Sequence, residues 1–222
     1  MAIIGLGDTR DLLQCRLVCR TFYVLTFPWV WRRVVLNFGP ISESIFPTTN
    51  ESRPFAICNF VLAHPEVSKH VRYLSISACF GRKLDIFHGA PIHTLGSALL
   101  AIAPLLQNLR LLGVAIDQPL PWWQALDALF SLPLLRMIWL KGVDCSGVSA
   151  QGLKPNPGIT GLLVLRCTHL ENIYPLVPSL EVFRYYGETE IEQLPPWDKL
   201  REVAFETHEE ALADHVAESF QV

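Results

Sequence analysis

No run in this chain is long and apolar enough to cross a bilayer. The longest, Leu95-Gly-Ser-Ala-Leu-Leu-Ala-Ile-Ala-Pro-Leu-Leu106, is interrupted by Pro104 and falls short of the roughly 20 residues a span requires. It reads instead as a buried amphipathic helix. Charged side chains are also scarce, at 18% against 50% hydrophobic residues, with a mean hydropathy of +0.30. That excludes a disordered chain, which combines low hydrophobicity with high charge. No lysine or arginine stripe runs along the sequence, and its charge is uneven: +3 over residues 1–40, +3 over 41–170 and −9 over 171–222. Such a balance does not build a phosphate-tracking surface, so nucleic acid is not an expected partner. The six cysteines include no Cys-x-x-Cys pair and are too few for a disulfide framework in 222 residues, so they are read as reduced thiols. The opening Met1-Ala-Ile-Ile-Gly-Leu-Gly-Asp8 lacks the basic segment and apolar length of a secretory leader. The expectation is a cytoplasmic or nuclear protein with no membrane partner.

Strings that carry chemistry are missing too. There is no Gly-x-Ser-x-Gly and no P-loop, and Gly5-Leu-Gly lacks both the preceding strand and the third glycine of a dinucleotide fingerprint. His208 and His215 do not have His-Glu-x-x-His spacing and read as part of a solvated acidic helix. Cys15 and Cys19 stand four apart with no second pair at finger spacing, so they read as small apolar residues on a helix face. No catalytic residue, metal site or cofactor is expected, and the chain is not expected to be an enzyme.

What is present is a repeat. The form Leu-x-x-Leu-x-Leu, with other apolar residues allowed, fits Val71/Leu74/Ile76, Leu109/Leu112/Val114, Leu135/Ile138/Leu140, Ile159/Leu162/Val164, Leu180/Phe183/Tyr185 and Leu200/Val203/Phe205. The starts are 38, 26, 24, 21 and 20 residues apart. Four of these gaps fall in the window of about 20–29 residues of leucine-rich repeats. The spacing predicts a short parallel strand per unit, its second and third leucine positions turned inward, and a return segment stacked on the next unit. Trp122-Trp-Gln-Ala-Leu-Asp-Ala-Leu-Phe130 has helical patterning, whereas the last units leave room only for a turn. Cys79 and Cys167 each fall eight residues after a unit start, where this repeat places Asn or Cys, so Cys167-Thr-His169 reads as scaffolding. The predicted fold class is α/β: a leucine-rich-repeat solenoid with parallel strands on the concave side, preceded by a small helical segment. Residues 1–40 form the helical module, 41–54 a turn-rich connector and 55–222 the repeat domain. Within the module, Asp8-Thr-Arg-Asp11 offers an N-cap, Leu13, Leu17, Phe22 and Leu25 follow helical spacing, and Pro28 is the expected stop.

The segment Asp11-Leu-Leu-Gln-Cys-Arg-Leu-Val-Cys-Arg-Thr-Phe22, continuing through Leu25 to Trp31-Arg-Arg-Val34, resembles the second half of an F-box. With the repeats that follow, the chain is similar to fungal-type F-box and leucine-rich-repeat proteins, closely over residues 4–36 and by pattern over 71–206. That resemblance implies the substrate-recognition subunit of a Skp-cullin-F-box ubiquitin ligase, its helices on the Skp-family adaptor and its solenoid on an unknown target protein. Leu12, Leu13, Leu17, Val18 and Trp31 are the adaptor-binding residues it implies. The F-box opening, a Leu-Pro followed by an apolar helix, is represented only by Ile3, Ile4 and Leu6. This leaves as the alternative a stand-alone repeat module that binds proteins without joining a ligase.

Strand alternation puts a second set of side chains on the outer face, and an apolar stripe there needs a cover. The expected target-binding site centres on Trp139, surrounded by Tyr73, Leu111, Met137, Lys141, Leu163, Arg184 and Tyr186, with Glu202 and Glu206 as an acidic flank.

Overall fold

The computed structural model describes residues 20–37, 52–78, 91–116, 123–146, 148, 152–186, 195 and 197–206. It is a mixed α/β structure with one open, all-parallel sheet of seven strands in sequence order. These are β1 (Arg33–Asn37), β2 (Tyr73–Ala78), β3 (Leu111–Ile116), β4 (Met137–Lys141), β5 (Gly161–Leu165), β6 (Val182–Tyr186) and β7 (Glu202–Glu206). Strands β2 to β7 each begin two residues after a predicted unit start, because the first leucine of each motif ends the incoming turn and only the other two lie on the strand.

The registers align those leucines across the sheet. Leu74, Leu112, Ile138, Leu162, Phe183 and Val203 occupy one row, and Ile76, Val114, Leu140, Val164, Tyr185 and Phe205 another. From β2 to β6 both rows are at most 4% exposed, and with the motif-opening Val71, Leu109, Leu135, Ile159 and Leu180 they form one continuous core. Each such side chain contributes about 1.5–3 kcal/mol on burial. The last unit is looser: Val203 is half-buried and Phe205 is 56% exposed.

Parallel neighbours need a crossover, and the return segments shorten along the chain. Successive strand starts are 40, 38, 26, 24, 21 and 20 residues apart. The long returns hold α2 (Ser52–Ala63), the one-turn α3 (Pro65–Ser68), α4 (Pro91–Ile102) and α5 (Trp123–Phe130). The later ones hold 3-10 turns at Leu170–Asn172, Tyr174–Leu176 and Trp197–Lys199. Cys58 and Val61 of α2, Leu99 and Ile102 of α4, and Leu126 and Leu129 of α5 enter the same core, so the helices cover one sheet face. The buried helix read at Leu95–Leu106 is thus α4 plus a 3-10 turn at Ala103–Leu105, which Pro104 opens.

Three findings differ from the expectations. Helix α1 (Arg20–Val30) runs past Pro28, which removes only its own N–H; the Trp31 N–H still bonds the Phe27 carbonyl at 3.3 Å. Strand β1 lies inside the stretch read as helical, and Val34 and Leu36 are buried while Arg33 and Val35 are exposed, the period of a strand. Helix α2 begins at Ser52, inside the expected connector.

The turns repeat as well. The carbonyl just before each strand accepts two N–H bonds from the next unit: Arg32 from Arg72 and Tyr73, Arg72 from Arg110 and Leu111, Arg110 from Arg136 and Met137, all at 2.9–3.1 Å. Thr160, Glu181 and Arg201 continue the ladder. Asn156 fastens the turn before β5, its Nδ2 donating to the Phe130 and Leu132 carbonyls and its Oδ1 accepting from the Gly158 N–H. The half-buried Cys167 thiol donates to the Leu165 carbonyl at 3.5 Å, a scaffolding role.

Candidate functional site

On the sheet face away from the helices, the residues expected to bind a target are neighbours. In register, Tyr73, Leu111, Met137 and Gly161 form one row across β2 to β5, while Gly113, Trp139, Leu163 and Arg184 form a second and Ala115, Lys141, Leu165 and Tyr186 a third across β3 to β6. All eight predicted residues lie on this face, but they differ in exposure. Tyr73, Leu111, Leu163 and Tyr186 are at most 6% exposed and make a floor, whereas Met137, Trp139, Lys141 and Arg184 are half-buried. Leu163, Leu165 and Tyr186 form a second small cluster, with Met137 and Trp139 packed on it.

Two glycines explain how the large side chains lie flat. A Cβ on Gly113 would meet Trp139 Cε3 at 2.9 Å and Tyr73 Oη at 3.3 Å, so the indole is laid over Gly113. A Cβ on Gly161 would meet Met137 Cε at 3.2 Å. Trp139 Nε1 is buried and has no hydrogen-bond partner among the described residues. Lys141 makes no ion pair among the described residues. Arg184 is different, since its Nε donates to Glu202 Oε1 at 2.7 Å and the pair is reinforced through Nη2. Burial works against the Arg184 charge, but hydrogen bonds to Tyr186 and Glu202 and the Glu202 charge outweigh it and raise its pKa. The acidic flank therefore already neutralises this cation. The resulting surface is an apolar platform edged by one lysine, suited to holding a protein segment.

A second surface lies at the other end of the sheet. Val24, Leu25 and Trp29 of α1 are 60%, 62% and 49% exposed, and Val35 on β1 is 45% exposed. Among the described residues these are the most exposed large apolar side chains of α1 and β1, and contiguous exposed apolar patches are the usual mark of protein interfaces. Of the residues expected to meet the adaptor, Leu12, Leu13, Leu17 and Val18 lie outside the described residues. Trp31 is half-buried and stacks on Phe60 at 5.0 Å and 5°, so it holds α1 against α2. Sequence reasoning named Leu25 as an apolar helix position but not as an adaptor contact, and it did not single out Val24 or Trp29. The available signal was the i, i+4 spacing of Leu25 and Trp29 in a helix whose core side is already supplied elsewhere.

Among the described residues no His, Cys, Asp and Glu cluster could hold a metal, and no helix is long and apolar enough to cross a membrane. Residues 1–37 match the F-box-like family, over a stretch that takes in α1 and ends with β1. F-box-like domains commonly bind Skp-type adaptors. No curated protein matches the chain.

Proposed function

We propose that the chain is the substrate-recognition subunit of a Skp-cullin-F-box ubiquitin ligase. Its F-box-like segment docks on the adaptor through α1 and the residues before it, and its sheet is a leucine-rich-repeat solenoid that holds a target protein at Trp139, Met137 and Lys141. The subunit is not an enzyme; it acts by bringing the target close to the conjugating machinery. The observation that carries this reading is continuity: the F-box-like match runs to residue 37, and its final five residues are β1, the first strand of the sheet. Adaptor-facing and target-facing surfaces are therefore parts of one body.

The test is reconstitution of the full chain with a purified Skp adaptor on a size-exclusion column. Co-elution is expected. Leu25→Asp should abolish it while leaving stability within the roughly 0.5 kcal/mol band of surface changes, since that side chain is 62% exposed. A chain that never co-elutes overturns the ligase reading and leaves the stand-alone repeat module.

A further inference from the structure

The residue immediately before each strand is an arginine four times in succession: Arg32 before β1, Arg72 before β2, Arg110 before β3 and Arg136 before β4. The carbonyl ladder described above ties these four positions together step by step, so they stand in a column about one strand spacing, roughly 4.8 Å, apart. The hydrogen-bonding work at these turns does not need the charge. Arg72 Nη1 donates to the Asn108 carbonyl at 3.1 Å and Arg136 Nη1 to the Gly158 carbonyl at 3.1 Å, one nitrogen of each five-donor group. At the equivalent place before β5 the neutral Thr160 occupies the ladder without difficulty. Arg110 is exposed, and neither Arg72, Arg110 nor Arg136 has an ion pair among the described residues. The column repels itself: the Arg72 pKa is pushed down by burial and then by the charges of Arg110 and Arg32. By contrast, farther along the same edge Arg201 has its own carboxylate, Glu181, at 3.6 Å.

We propose that this arginine column is a docking edge for an acidic peptide segment of a partner protein, laid across the starts of β2, β3 and β4 with carboxylates against the guanidinium groups. The site lies at the end of the strands and not on the face around Trp139, so it goes beyond the function proposed above and stands or falls separately from adaptor binding. Charge complementarity selects the partner: the guanidinium forks of Arg72, Arg110 and Arg136, which have no ion pair among the described residues, match carboxylates in planar geometry. The three positions span only about 10 Å, two strand spacings, which suits a short peptide. A net charge of −3, with −9 in residues 171–222, opposes a long polyanion.

The test uses the full chain without adaptor, so ligase assembly plays no part. A fluorescein-labelled peptide about a dozen residues long and rich in Glu and Asp is titrated by anisotropy at about 50 mM salt, where exposed charges are weakly screened. Arg110→Glu should weaken binding at least about tenfold, and Lys199→Glu, an equal charge change on an exposed lysine away from the column, should change it less than about threefold. Arg110→Gln is the fallback should the reversed charge unfold the chain, and the unfolding midpoint of every variant is measured alongside. Equal losses in the Arg110 and Lys199 variants, no binding by the parent chain, or tighter binding of a single-stranded oligonucleotide of the same charge would each overturn the proposal.

Discussion

Gly113→Ala tests whether the platform under Trp139 is as closely fitted as the structure has it. The new methyl carbon would stand 2.9 Å from Trp139 Cε3 and 3.3 Å from Tyr73 Oη. Ordinary carbon contacts need about 3.5–4.0 Å, so the indole edge must retreat by at least about 0.6 Å. Tyr73 cannot make room, being 1% exposed, and Trp139 is backed by Leu163, Leu165 and Tyr186. Overpacking of this kind costs about 1–3 kcal/mol, while the loss of glycine's unfolded-state freedom returns about 0.4–1 kcal/mol. Gly113→Ala should therefore destabilise by about 1–2 kcal/mol, measured by guanidinium unfolding monitored by circular dichroism. Removing the ring removes the clash. In the Trp139→Ala background the same alanine should be neutral or slightly stabilising, which makes the coupling energy about 1–2 kcal/mol. If Gly113→Ala stabilises the parent, or costs as much with Trp139 absent, the indole does not lie over Gly113 and the platform geometry is wrong.

Leu112, Ile138 and Leu162 are successive members of one fully buried row, so truncating any of them to Ala should cost about 2–5 kcal/mol in the same unfolding assay. A cost under about 1 kcal/mol at two of the three would break the repeat-stacking argument. Burial raises the thiols of Cys58 and Cys167 to about 11 from an ordinary 9.0. The folded state therefore holds protons that the unfolded state releases first: their stabilisation is complete below pH 9.0 and drains away as pH rises toward about 11. The Cys58 thiol, 1% exposed, should resist a disulfide reagent at neutral pH until the chain unfolds, and its prompt labelling would contradict this packing. Asn156→Ala strips two turn carbonyls and the Gly158 N–H of their partner and should cost about 1–3 kcal/mol, with Asn156→Asp restoring only the Gly158 bond.

The strands were legible because their signal is redundant. Three apolar positions at fixed spacing, repeated six times, locate β2 to β7 even where a unit carries Tyr185 or Phe205 in place of leucine. Strand β1 was hidden because its unit, Trp31/Val34/Leu36, opens on a tryptophan where the others carry an aliphatic residue, starts 40 residues before the next unit, and adjoins a segment whose helical pattern is stronger. Pro28 misled because a proline in the last turn removes a single hydrogen bond that the following residues survive. On the outer face, alternation identified which residues point away from the helices but not how deep they sit. That depends on whether a neighbour is Gly113 or a large residue, and on whether a cation such as Arg184 meets a carboxylate two strand positions away in the register. Exposure at Val24, Leu25 and Trp29 was likewise invisible, because helical spacing alone does not say which of two apolar faces is covered.

Continuity through β1 has a mechanical consequence for the proposed receptor. Helix α1 meets the sheet through only Trp31 and Arg32, yet it is held at three further points. The Arg32 carbonyl accepts from Arg72 and Tyr73, Trp31 stacks on Phe60, and Phe27 meets the His70 ring edge-on at 5.8 Å. A flexible joint would instead present few buried groups and a run of Gly, Ser or Pro, and the sequence between α1 and β1 has none. Strand β1, which continues from α1, and β4, which carries the platform, belong to one hydrogen-bonded sheet and stand three strand spacings of about 4.8 Å apart, or about 14 Å. A receptor built this way fixes where its cargo sits relative to the adaptor by the number of strands between them, so target placement is a property of the sheet and not of a linker.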